Sequence, residues 1–83
     1  MSKATKKQLI LLKVLGMLGF ETVDLNVPWN SLRYQKTIYL LQNYGVSLGY
    51  GYEWYVRGPY STELAYDLEQ LHFLIHGTYP ERH

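Results

Sequence analysis

A chain of 83 residues without a cysteine makes one domain, with no disulfide and no thiolate metal site to support it. A chain of this size buries only about 60–65% of the surface that its unfolded form exposes, so stability is marginal. The formal net charge of +1 is too near zero to predict nucleic-acid binding from charge alone, and 47% apolar residues is an ordinary globular share.

Between Thr5 and Gly19 the apolar residues Leu9, Ile10, Leu11, Leu12, Val14, Leu15, Met17 and Leu18 cover more than half of a helical wheel, with polar gaps at Gln8 and Lys13. This predicts a mostly buried first helix with Gly19 as its C-terminal cap. Lys3, Lys6, Lys7 and Lys13 make the amino end basic, which reads as a solvated face. Lys13 interrupts the apolar run and no small-residue cleavage pattern follows, so the segment reads as a helix and not a signal peptide. No run approaches the roughly 18 apolar residues that span a bilayer, and the expected location is the cytoplasm.

Val23, Leu25 and Val27 alternate with Asp24 and Asn26, the period of a short half-buried strand ended by Pro28. Asn30 or Ser31 then caps a second helix, about Ser31 to Tyr44, which Gly45 stops. Its apolar residues fall in two stripes, Tyr34, Ile38 and Leu41 beside Leu32, Leu40 and Tyr44. Arg33, Gln35, Lys36 and Gln42 fall largely elsewhere. VSLGYGY reads as a loop. Tyr52, Trp54 and Val56 alternate with Glu53, Tyr55 and Arg57, predicting a short strand or extended piece.

Gly58 and Pro59 end that extension, because proline cannot donate to a ladder and restricts the residue before it. Ser61 is the N-cap of a third helix, and Glu63 in its first turn suits the helix dipole. The helix runs to about His76, capped by Gly77, with a stripe of Leu64, Leu68, Leu71 and Ile75 widened by Ala65 and Leu74. The expected fold is α+β and mainly α: three helices with a short two-strand or extended element, in an order resembling a winged helix.

Glu69, His72 and His76 have the spacing of zinc ligands on one helical face. The structural reading is preferred: His76 complements the last-turn carbonyls and Glu69 pairs along the helix, so neither metal nor cofactor is expected. No nucleophilic cysteine, glycine-rich phosphate loop or paired carboxylates occur, so the chain does not read as an enzyme.

Nine tyrosines in so short a chain favour a contact surface, since tyrosine carries an apolar ring with a polar tip. In WYVRGPYS (54–61), Trp54 is expected to pack inward with Tyr52 and Val56. Tyr55, Arg57 and Tyr60 are expected to face outward as a recognition surface. The apolar faces exceed what this chain can cover, which predicts self-association or a partner.

YQKTIYLLQ (34–42) followed by YEWYVRGPYSTELAYDL (52–68) resembles the Panacea antitoxin-domain family, which includes SocA-like and GepA-like phage-associated proteins; YwgA-like proteins look similar. The positions that carry the likeness are Gln35, Lys36, Tyr39, Leu40, Trp54, Gly58, Pro59 and Leu64, and it spans roughly half the chain. The resemblance implies a single domain over residues 1–83 that corresponds to the N-terminal part of the family's domain. It implies a mainly helical, non-catalytic module that binds another protein, typically a toxin encoded alongside it. With the family pattern added, the expected partner-binding residues are Tyr55, Arg57, Tyr60, Lys36 and Gln35. The expected structural ones are Trp54, Gly58, Pro59, Ser61 and Tyr39. A winged-helix regulator that sets Arg33 and Lys36 against DNA phosphates is the second reading. The apolar stripes of the second helix leave that surface a narrow polar face.

Overall fold

Thr5 opens α1, Lys6–Met17, with a reciprocal capping box. Its hydroxyl accepts the Gln8 backbone N–H at 3.1 Å, while the Gln8 side chain accepts the Thr5 N–H at 3.0 Å. The computed structural model describes residues 3–81; His83 lies outside them. Only Gln8, Leu11 and Leu15 of α1 are buried, whereas Leu9, Ile10, Met17 and Leu18 are exposed. The expectation of a mostly buried helix is therefore corrected. Only α3, of the other helices, packs on α1, and one neighbour covers one face.

No strand forms at 23–27. Val23 is buried as its alternation suggests, but no second strand lies beside it and its backbone groups bond to side chains instead. The Tyr34 hydroxyl accepts the Asp24 N–H and donates to the Thr22 carbonyl, both at 3.2 Å. His72 Nδ1 accepts the Leu25 N–H at 3.0 Å, and His76 Nε2 meets the Val23 carbonyl at 2.9 Å. Asn30, expected as a cap, is instead the first residue of α2, Asn30–Asn43, and its amide donates to the Asp24 carbonyl at 3.0 Å. Trp29 occupies the N-cap position without a side-chain cap bond.

Of the two apolar stripes on α2, the one bearing Tyr34 and Ile38 is core, while Leu32, Leu40 and Tyr44 are exposed. The chain then turns through a two-stranded antiparallel hairpin, β1 Glu53–Tyr55 and β2 Gly58–Tyr60. Trp54 faces Pro59 across the pair, and Tyr55 faces Gly58. Gly58 and Pro59 therefore do not end the extension; they are its return strand. Gly58 makes the reversal with φ +110°, a conformation that a β-carbon resists. Pro59 is tolerated because a two-stranded sheet is all edge.

Ser61 caps α3, Thr62–His76, accepting the Leu64 N–H at 3.1 Å on its hydroxyl. Gly77 closes it at φ +82° and donates to the Phe73 carbonyl at 2.8 Å. Leu64, Leu68 and Leu71 are core as the periodicity predicts, but the last buried place on that face belongs to His72, with Ile75 exposed. Helix α3 is central, packing on both α1 and α2, while β2 packs on α2. The fold is α+β and mainly α. Among the described residues, no helix is long and apolar enough to cross a membrane.

Candidate protein-interaction site

A groove of about 750 Å³ runs between the start of α2 and the hairpin. One wall is Pro28, Trp29, Ser31 and Leu32; the other is the hairpin from Tyr55 to Tyr60. Its large apolar side chains are displayed and not packed. Trp29 is 62% exposed, Tyr55 52%, and Val56 at the hairpin tip is fully exposed. Arg57 is the only residue with a formal charge among those lining the groove.

The hairpin wall is stiffened by its own aromatics. Tyr55 and Tyr60 meet edge to face with centroids 5.6 Å apart. Burial first, then the charge of Glu69 and the neighbouring Tyr55, raises the Tyr60 hydroxyl above its ordinary pKa. That hydroxyl stays protonated and available as a donor near neutral pH. On the other face of the hairpin, Tyr39 packs edge to face against Tyr52 at 5.2 Å and Trp54 at 6.2 Å. Tyr52 also donates its hydroxyl to the Gln35 carbonyl at 2.8 Å.

Tyr55, Arg57 and Tyr60, singled out in the sequence, thus come together on one wall. Trp54 does not pack inward; it is 76% exposed and leans on Tyr39 at the rim of that face. Val56 is not inward either, because the hairpin turns there and its side chain leaves the sheet face. Gln35 is fully buried, its amide engaged with Ser61, and cannot meet a partner. Lys36 is exposed but lies outside the groove. Pro28, Trp29 and Leu32 were missed. A tryptophan after a proline, just before a helix start, was their only signal.

The amino-terminal basic run is less idle than its composition suggests. Lys7 donates to the Gly49 carbonyl at 2.8 Å and lies 4.3 Å over the Tyr50 ring. The Asp67 carboxylate accepts both the Tyr50 hydroxyl, at 2.7 Å, and the Gln8 amide, at 2.9 Å. This network joins α1, the loop and α3, and uses up its polar groups in doing so.

Near the end of α3, the carboxylate partner of the two imidazoles is Asp24 and not Glu69. One ligand-type atom from each of Asp24, His72 and His76 lies within 4.8 Å of the others. The proton arrangement opposes a metal. Since His72 Nδ1 accepts the Leu25 N–H, its proton sits on Nε2, so neither nitrogen offers a free lone pair. Burial first, then His76, lowers the His72 pKa, with Asp24 partly opposing.

Comparison with protein-family models, with curated proteins and with solved structures finds no match to this chain.

Proposed function

We propose that this chain is a non-catalytic protein-binding module that acts in the cytoplasm in the manner of an antitoxin. It neutralises a toxin or another phage-defence component by seating part of it in the groove between α2 and the hairpin. The observation that carries this reading is the display of Trp29, Leu32, Tyr55 and Val56 around one groove with a single cation in its lining. Exposed apolar residues gathered in a concave surface are characteristic of protein interfaces, and tryptophan, tyrosine and arginine dominate binding hot spots. The groove is lined mainly by apolar residues, with Ser31, Tyr55, Arg57 and Tyr60 supplying its polar side-chain groups. It lacks the row of cations that phosphates require. The likeness of residues 34–42 and 52–68 to the Panacea antitoxin-domain family points the same way.

Co-expression with the products of neighbouring genes tests the reading. The chain should form a stable complex with one of them and relieve its toxicity. Duplex DNA binding that weakens steeply with salt, without such a complex, would favour the regulator reading.

A further inference from the structure

The segment from Thr22 to Asn26 has no strand or helix of its own and is fastened to α3 by two imidazoles. Their bonds differ in kind. His72 accepts the Leu25 N–H on Nδ1, a bond that only the uncharged ring can make. His76 meets the Val23 carbonyl, an acceptor, through Nε2, and a protonated ring makes that bond as well as a neutral one.

We propose that His72 is a proton-operated latch: its protonation breaks the Leu25 bond and frees the Leu25 end of segment 22–27 from α3, while His76 keeps its hold on Val23 and the rest of the fold stands. A proton added to Nδ1 points at the Leu25 N–H, setting two donors face to face. It also places a charge on a ring that is fully buried. Nε2 of that ring has no hydrogen-bond partner among the described residues, so nothing on that side rewards the charge.

The surroundings offer little compensation. From the segment itself Asp24 faces the ring, and its carboxylate is already accepting the Asn26 N–H at 3.0 Å. From α3, the His76 ring lies tilted beside it at a centroid distance of 4.4 Å and adds repulsion when charged. From α2, Tyr34 brings a hydroxyl that is bonded to Asp24 and Thr22, and Arg33 is held over the Phe20 ring. Helix α1 presents the uncharged Leu11 and Leu15 to the core. The freed end leads directly into Pro28 and Trp29, a wall of the groove. If the proposed function holds, partner affinity falls in acid; the latch itself is tested on the chain alone.

Amide hydrogen exchange by NMR, corrected for the intrinsic rate, reads the latch at Leu25. From about pH 7.5 to about pH 4.5 its opening constant should rise, approaching ten-fold per pH unit below the ordinary imidazole value and levelling once the latched ring itself titrates. Leu25 should also be less protected throughout than Leu68 in the core, because the segment opens without the whole fold. His72→Asn, which keeps an uncharged acceptor near the Nδ1 position, should remove most of the slope. His76→Gln, which keeps a donor for Val23, should retain it. If His72→Asn does not fold, the His72 ring resonances of the parent decide, since their titration must coincide with the levelling at Leu25. A flat Leu25 profile overturns the latch, as does equal protection at Leu25 and Leu68, or an unchanged slope in His72→Asn.

Discussion

The Gln35 side-chain amide pairs with both backbone groups of Ser61, accepting its N–H at 2.8 Å and donating to its carbonyl at 2.9 Å. Two helical turns on, Gln42 repeats the device with Tyr50, with both bonds at 2.9 Å. Tyr50 precedes the hairpin and Ser61 follows it, so two glutamines on one helix fasten both ends of the hairpin segment. These pairs tie both ends of the hairpin segment to α2, whose first residues form the groove's other wall.

Gln35→Leu should therefore cost about 1–3 kcal/mol, since it leaves the buried Ser61 N–H unpaired, while the Ser61 carbonyl keeps the Ala65 N–H. Gln42→Leu should cost about 1 kcal/mol, because water reaches its half-buried site and replaces part of the loss. Urea denaturation of the two variants checks the ranking. Equal effects would show that burial at Ser61 does not decide the cost.

Trp54→Ala should cost less than about 1 kcal/mol, far below the roughly 3–5 kcal/mol of a core tryptophan. The ring is 76% exposed and loses only an edge contact with Tyr39. Ser61→Ala should cost more, about 0.5–2 kcal/mol, through the lost cap of α3. Thermal melts of the pair would contradict this account if their order were reversed.

The His72 pKa is lowered from the ordinary 6.5, chiefly by burial, so the folded state holds the neutral ring more firmly than the unfolded chain does. The associated stability is complete above pH 6.5 and is lost as pH falls through the lower folded value. The urea midpoint should be level near neutrality and fall in mild acid, and His72→Asn should flatten that fall. A midpoint that rises in mild acid would reverse the sign of the argument.

Leu9, Ile10 and Met17 on α1, Leu18 at its C-cap and the groove leave exposed apolar surface that a partner or a second copy would cover. Light scattering at high concentration should report association or, with a partner present, a hetero-complex. A stable, strictly monomeric chain that takes up no partner would contradict the reading of those surfaces.

What the sequence made legible was local. The cap at Ser61, the stop at Gly77 and the Leu64, Leu68, Leu71 stripe follow from rules spanning one or two turns, and all three hold. The failures share one cause, long-range placement. The alternation of Val23, Leu25 and Val27 fits a strand, yet a strand needs a partner, and here Tyr34, His72 and His76 take that role. Trp54 looked like core because an aromatic on an alternating face usually is, but the hairpin projects beyond the helices and its outer residues find little to cover them. Gln35 looked like a surface residue by type. Only the approach of Ser61, 26 residues away, makes it internal.

The central claim is that the groove between α2 and the hairpin binds a protein partner. Isothermal titration of the co-expressed partner against the parent chain and against the double variant Trp29→Ala with Arg57→Glu tests it most directly. Both side chains line the groove outside the core, so the variant should keep the parent's helical signal and melting temperature. It should bind at least about 30-fold more weakly, a loss of about 2 kcal/mol. A folded double variant that binds the partner as tightly as the parent would contradict the account.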